Sequence, residues 1–563
     1  MVGRRGPSGI RSRPRGHSPL NADSQTEPEV LDAVIVGAGF SGLYMLIRMR
    51  ELGLQCTVIE KGDDVGGTWY WNRYPGARCD IDSVDYCYSF SPKVLEEWRW
   101  SERFATQPEI LRYLEFVADT FDLRRDIRFS TTATATEFDE VSGTWLVRTA
   151  DGQQIRARYL VMAVGNLSEP KRPDIVGVER FAGDAIHTAR WPKEGVDFTG
   201  RRVGVIGTGS TGIQAIPLIA QQAEHLYVFQ RTPNYSMPAR NAPLEPKYID
   251  EVLATFDERR EKSRQSDAGT PFPPAATATF EVSDEEREAM FEDGWRRGGI
   301  NSLSYAFTDF FTDERANKAA QDFARSKIRE VVQDPQTAEG LIPTHHIGTK
   351  RTCVDTNYFA TYNRDNVTLV DLRVDPIEEI TARGARTSSR EIELDCLVYA
   401  VGFDAMTGAM TSMDIVGRGG TTLREAWADG PTTYLGLMVA GFPNLFLVTG
   451  PGSPGVLSNM VVSIEQHVEW IAGALAYLKS SDMGIIEALH DAQDEWVAHV
   501  NDLADTTLYP QASSWYVGAN IPGKPRVFMP YVNGCGNYRR ECDAVVREGY
   551  RGFAVTAAAS ARA

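Results

Sequence analysis

No stretch of this 563-residue chain is apolar for long enough to cross a bilayer. Cysteine is scarce: seven residues, at 56, 79, 87, 353, 396, 535 and 542, odd in number and scattered. They include no CxxC pair and no His/Cys cluster. That argues against a metal site and a redox-active pair, and suits reduced thiols in a cytoplasmic compartment. Positive charge is in deficit, with 59 Lys and Arg against 76 Asp and Glu, a net −17, which argues against a nucleic-acid partner. Residues 1–28 go the other way, with Arg4, Arg5, Arg11, Arg13 and Arg15 before the first acid at Asp23. This tail lacks the apolar centre of a signal peptide, and its prolines spoil an amphipathic helix, so disorder is expected.

What the chain does have is two glycine loops, each in a strand–turn–helix–strand setting. Val203–Ile206 reads as a buried strand, followed by Gly207-Thr208-Gly209-Ser210-Thr211-Gly212, a helix with Pro217 inside it, and a strand ending at Gln230-Arg231. The earlier copy runs Val34–Val36, Gly37-Ala38-Gly39-Phe40-Ser41-Gly42, a helix to Leu52, and Thr57–Glu60. In such a loop the glycines let the backbone approach a pyrophosphate, and the helix N-terminus supplies N–H groups and partial positive charge. Without a ligand they would simply be glycine turns at strand–helix joins.

The second strand tips differ. Glu60 stands 18 residues after Gly42 and suits two free ribose hydroxyls. Gln230 stands 18 residues after Gly212, so the carboxylate is missing and Arg231-Thr232 follows. Arginine binds a 2′-phosphate that a carboxylate would repel. The first site is therefore read as FAD-binding and the second as NADPH-binding.

The expected fold class is α/β: two Rossmann-like dinucleotide-binding domains with a helical insertion. The expected division gives 29–140 and 397–563 to the FAD domain, 141–235 and 345–396 to the NADP domain, and 236–344 to the insertion. Residues 127–168 alternate apolar and polar positions and read as antiparallel strands. In the insertion, Ser283–Glu286 fits a capping box, and Ala320, Phe323, Ala324 and Ile328 repeat at helical spacing. Ile464, Val468, Ile471, Leu475 and Leu478 mark another helix face, and the chain beyond that helix reads as loop-rich as far as Gly549.

Between the two loops stands Phe181-Ala-Gly183-Asp-Ala-Ile-His187-Thr188-Ala-Arg-Trp191-Pro192. This resembles the FxGxxxHTxxWP signature of type I Baeyer–Villiger monooxygenases at every defined position. The resemblance runs from about Leu31 to Gly552, and looks closest to the phenylacetone and steroid monooxygenase branch. It implies an NADPH- and O2-consuming enzyme that converts ketones to esters or lactones through a peroxyflavin, with sulfoxidation as a side activity. A permanent cation is needed near the nucleophile, and arginine keeps its charge when desolvated. By family position Arg351 is the catalytic arginine and Asp80 its partner. Lys350, with Arg231 and Thr232, is implied to bind the 2′-phosphate, and Trp515 to contact the nicotinamide nucleotide. The aromatic, glycine-rich stretch after Glu60, with Gly67, Thr68 and Trp69, is expected to wall the flavin, and Tyr86 is counted with the cofactor-binding residues. His187 is read as a linker between the nucleotide domains rather than a proton-transfer base, and Trp191-Pro192 as packing.

The segment Gly455-Val456-Leu457, with Met406 and 533–538, is expected to shape the pocket and leaves ketone size undecided; a bulky ketone, aromatic or cyclic, is expected. A monomer is expected, with a homodimer left open. The rival enzyme class is an N-hydroxylating or sulfoxidising flavin monooxygenase. A flavin disulfide reductase would need a cysteine pair that the 79/87 spacing does not provide, and a non-catalytic FAD/NADP-binding protein would have no use for Arg351 and Asp80.

Overall fold

The structure, a computed structural model, describes residues 30–557, so the tail at 1–28 lies outside it. Its principal strands are β1 (Val30–Val36), β2 (Cys56–Ile59), β3 (Ile127–Arg128), β4 (Ala133–Asp139), β5 (Thr144–Thr149), β6 (Gln154–Met162) and β7 (Asp184–His187). Beyond them come β8 (Arg202–Ile206), β9 (His225–Gln230), β10 (Val367–Asp371), β11 (Cys396–Tyr399), β12 (Asp414–Val416) and β13 (Leu445–Leu447).

They form two main sheets. The first has eight strands in the order β12-β4-β5-β6-β1-β2-β3, with β13 also pairing β6. Its centre, β3-β2-β1-β6-β13, is parallel. The second sheet, β10-β9-β8-β11-β7, is parallel throughout. Buried on both faces, such strands read as continuous apolar runs, as Val203–Ile206 and Val34–Val36 do. Each sheet has its nucleotide loop at the carboxyl end of a central strand, β1 or β8, where open α/β sheets bind ligands.

This pairing moves the expected boundaries. Strands β5 and β6 lie beyond residue 140 yet are hydrogen-bonded into the first sheet. Strand β11 runs across the boundary expected at 397 and pairs in the second. Ile127–Arg128 is a parallel edge strand on β2 rather than part of the antiparallel meander, which is confined to β4–β6. Two residues carry too little alternation to show their partner.

Helix α1 (Phe40–Glu51) follows the first loop and α2 (Ser210–Gln222) the second, running unbroken through Pro217. In the 236–344 segment, α3 (Asp284–Arg297) opens with the Ser283/Glu286 capping box, and α4 (Glu314–Val331) buries Ala320, Phe323, Ala324 and Ile328. These helices share a core with Tyr235, Met237, Phe307 and Phe310. Helix α5 (Met460–Ser480) packs on α1. The stretch after it is loop only in part: α6 (His490–Asp505) and α7 (Gly534–Arg547) flank residues 506–533, which are loop apart from two short turns, Tyr509–Gln511 and Trp515–Val517. Their charged and polar residues are interleaved with few apolar ones, so their buried stripes are narrow. Tyr538, expected near the pocket, is instead fully buried, and its hydroxyl pairs with His467 Nε2 at 2.9 Å.

Candidate cofactor and catalytic site

The first loop is a cradle that only glycine can build. Gly37 has φ +103°, and a Cβ there would stand 2.6 Å from the Ala163 carbonyl oxygen. Gly39 and Gly67 face each other so closely that a Cβ on Gly67 would meet Gly39 Cα at 2.9 Å. Phe40 and Ser41 are buried in the first turn of α1. The Glu60 carboxylate accepts the Ala38 N–H at 2.7 Å and the Gly62 N–H at 2.6 Å. Burial raises its pKa against the pull of those two bonds. Trp69 is buried, and its indole N–H donates to the Tyr86 hydroxyl at 3.2 Å, while Tyr86 stands edge-on to Phe40 at 5.2 Å. Thr68 opens the short helix Thr68–Trp71. These walls bring together the residues that the sequence assigned to the flavin.

The second loop repeats the geometry: Gly207 has φ +113°, and a Cβ on it would lie 2.3 Å from the Ala400 carbonyl oxygen. Gly209 has open space around it, and Gly212 closes on the Gly207 carbonyl oxygen. The buried Thr208 hydroxyl donates to the Thr232 carbonyl oxygen at 3.2 Å. Near this loop stands a set of three cations. Among the described residues, Arg231, Lys350 and Lys171 form no ion pair. Burial and then the neighbouring Arg231 charge lower the pKa of both lysines. The Asp174 carboxylate offsets Lys171 in part, and a 2′-phosphate would supply an anion for Arg231 and Lys350. His345, with a buried Nε2 that has no partner, lies beside Lys350. Arg231 and Lys350 are marked in the sequence, whereas Lys171 has no motif around it and was missed there.

Between the two cradles lies the pair expected from the sequence. Arg351 donates from Nε and Nη2 to the two Asp80 oxygens at 2.9 and 2.8 Å, and from Nη1 to the Val456 carbonyl oxygen at 2.7 Å. Burial works against the guanidinium charge, but the Asp80 carboxylate outweighs it and holds the pKa above the ordinary arginine range. The Tyr516 hydroxyl is also at Arg351, its own pKa pushed up to about 12 by burial. Met406, Val456, Leu457, Trp515 and Phe528 make one apolar cluster with Tyr516. Trp515 packs against Tyr516 at 4.3 Å, in the short turn Trp515–Val517. Tyr516 and the Val456 carbonyl were missed in the sequence, since nothing in a tyrosine or a backbone carbonyl marks it as facing a particular arginine.

The signature segment ties linkers rather than lining the pair. His187 Nδ1 accepts the Ala189 N–H at 3.1 Å, and its Nε2 meets the Lys171 carbonyl oxygen at 3.1 Å. Both ring nitrogens are thus engaged by backbone, and burial lowers the pKa. Thr188 donates to the Tyr399 carbonyl oxygen, and Trp191 packs on Phe198, with Pro192 next to it. Phe181 joins the core of the second sheet, and a Cβ on Gly183 would lie 2.5 Å from the Asp395 carbonyl oxygen. The seven cysteines are all free. Among the described residues no helix is long and apolar enough to cross a membrane, and no group of His, Cys, Asp and Glu is suited to a metal ion.

The pyridine nucleotide-disulphide oxidoreductase family profile matches residues 34–264. A Baeyer–Villiger monooxygenase from Pseudooceanicola batsensis is 44% identical over 522 residues, covering 92% of this chain and 95% of the relative. A solved oxidized steroid monooxygenase bound to NADP superposes with a TM-score of 0.90 at 52% identity, covering 94% of this chain and 100% of the other. The structure of an OTEMO complex with FAD and NADP gives 0.91 at 40% identity, with the same coverage.

Proposed function

The chain belongs to the type I Baeyer–Villiger monooxygenases, and from that premise we propose that it converts bulky aromatic or cyclic ketones to esters or lactones, with sulfoxidation of thioethers as a side activity. FAD belongs in the cradle of Gly37–Gly42, Glu60, Gly67 and Trp69, and NADPH on Gly207–Gly212 with Arg231, Thr232 and Lys350. The glycine approaches fit the first, and the unpaired cations fit the second. When bound, NADPH supplies hydride and FAD activates dioxygen.

The protein's own part is charge and placement. The observation that carries the reading is the Arg351–Asp80 pair, joined through two parallel bonds and a third to Val456. A cation that burial cannot discharge favours an anionic nucleophile and the negative oxygen that develops on the ketone carbon. Asp80 fixes the plane of the guanidinium. Tyr516, its pKa pushed up to about 12 by burial, keeps its proton and turns its hydroxyl oxygen to the guanidinium as an acceptor. The apolar wall of Met406, Val456, Leu457, Trp515 and Phe528 suits an apolar ketone and limits the water that reaches the guanidinium. Lys350 and Arg351 are adjacent, so the residue that would hold the 2′-phosphate and the catalytic cation move as one segment.

A ketone panel, from acetone to steroidal and macrocyclic ketones, with mass detection of product and parallel NADPH consumption, tests this. The expected result is product one oxygen heavier, in proportion to NADPH, with the larger ketones preferred. NADPH-dependent oxygenation of amines or thioethers with no ester from any ketone would overturn it.

A further inference from the structure

Asp80 and Arg351 lie 271 residues apart, so their alignment depends on what holds the segments they sit on. One helix holds both. At the first residue of α2, Ser210 Oγ lies 3.3 Å from Cys353 Sγ, two residues beyond Arg351. Asn234 completes that side, its amide donating to the Arg351 carbonyl oxygen and to Cys353 Sγ at 3.1 Å each. One turn further along α2, Gln214 Oε1 accepts the Tyr74 hydroxyl at 2.8 Å, and its Nε2 donates to the Arg78 carbonyl oxygen at 3.1 Å, two residues before Asp80. Gly76, at φ +83°, comes so close that a Cβ would stand 2.3 Å from the Gln214 carbonyl oxygen.

We propose that Gln214 is a positioning residue that couples occupation of the second dinucleotide site to the alignment of Asp80 with Arg351. This rests on reading that site as the NADP site. The physical basis is the shared helix: α2 begins in the glycine loop, where its N–H groups would face a pyrophosphate. Drawing that N-terminus onto a ligand moves Ser210 and Gln214 together. Cys353 follows the first and the 74–80 segment follows the second, so the two halves of the ion pair are adjusted by one rigid element. An amide that merely glued the sheets together would bond wherever it packed. This one has both polar atoms engaged on the loop that leads into Asp80.

The test uses Gln214→Met, which keeps length and loses both bonds, in the FAD-loaded full chain. Hydrogen exchange is measured with and without NADP+. In the parent, NADP+ slows exchange in both 74–80 and 351–353. In Gln214→Met it slows only 351–353, while NADP+ affinity and the rate of flavin reduction stay within about twofold and ester per NADPH falls about fivefold or more, the balance appearing as hydrogen peroxide. Ser210→Ala, measured at saturating NADP+ because Ser210 lies in the loop assigned to that dinucleotide, is the reciprocal, losing protection at 351–353 and keeping it at 74–80. If Gln214→Met is poorly folded, Tyr74→Phe removes one of the two bonds and gives the same loss in smaller degree. Parent-like protection of 74–80 in Gln214→Met or Tyr74→Phe overturns the proposal. The exchange experiment needs no ketone, so it stands or falls separately from the ester assay.

Discussion

Glu60 and Gln230 occupy the same place in their two sheets, at the end of the second strand, and do opposite things there. Glu60 reaches back to its own glycine loop and accepts the Ala38 N–H, leaving lone pairs for a ribose. Gln230 turns away, its amide donating to the Gly340 carbonyl oxygen at 2.8 Å in full burial, so no carboxylate stands beside the second loop at this position. One change of residue type removes the repulsion, and Arg231, exposed and without an ion pair among the described residues, is the proposed source of the attraction.

Arg231→Ala is expected to raise KM for NADPH while leaving that for NADH nearly unchanged. Losing charge-assisted bonds worth ~1.5–3 kcal/mol corresponds to roughly ten- to a hundredfold. Steady-state kinetics with both dinucleotides measure it, and an equal rise for NADH would remove Arg231 from the phosphate.

Lys350 gives the same site a pH dependence. Its pKa is lowered by burial and by Arg231, so its positive charge is lost at a lower pH than an ordinary lysine loses it. NADP+ affinity should therefore weaken as pH rises through the alkaline range, and Lys350→Arg, which stays charged, should flatten the profile. Titrations of NADP+ affinity against pH for the two proteins check this; superimposable curves would count against it.

Arg351→Ala is expected to keep bound FAD and reduction by NADPH while ester formation falls by ~10²–10³-fold, the usual loss for one preorganised electrostatic stabiliser. Arg351→Lys should be nearly as poor, because a point charge cannot span both Asp80 oxygens and the Val456 carbonyl. Asp80→Asn leaves a largely buried cation short of its partner. Removing one partner of a buried pair costs ~3–5 kcal/mol, an upper bound here since both side chains keep about a fifth of their surface exposed. A lower melting temperature together with lost ester is the expected result for Asp80→Asn. Ester at the parent rate in Arg351→Ala would reassign the guanidinium.

His467 sets part of the acid limit of stability. It is fully buried, accepts the Thr449 N–H on Nδ1, and burial lowers its pKa to about 3. The unfolded chain protonates it near 6.5 and the folded chain does not. Stability is therefore present above about pH 6.5 and is lost as pH falls toward 3, by up to ~1.4 kcal/mol per pH unit for this one proton. His467→Gln should be less stable at neutral pH but lose less on mild acidification, to about pH 5, in urea unfolding. Parallel losses would show that another group carries the slope.

Local chemistry was enough for part of this. The two glycine loops, the strands before them, the capping box at Ser283 and the helix faces of α4 and α5 are short-range patterns with their causes inside the segment. Arg231 after a missing carboxylate was legible for the same reason. The resemblance carried by Phe181–Pro192 supplied Arg351 and Asp80, which no spacing links. The sheet memberships of β5, β6 and β11, the edge strand Ile127–Arg128 and the helices α6 and α7 were not legible, because strand pairing and narrow buried stripes depend on partners far along the chain.

What the amino-acid order supplied alone is the inventory: two glycine cradles, one ending at Glu60 and read as holding a ribose diol, the other ending at Gln230-Arg231 and read as holding a 2′-phosphate. What only tertiary structure decided is the junction between them. Asp80, Val456 and Tyr516 converge on Arg351, and Gln214 reaches across to Tyr74 and Arg78, because α2 packs against the 74–80 segment on one side and Cys353 on the other. Contacts of that kind bring together positions more than a hundred residues apart, and no periodicity along a chain records which of its distant parts will touch.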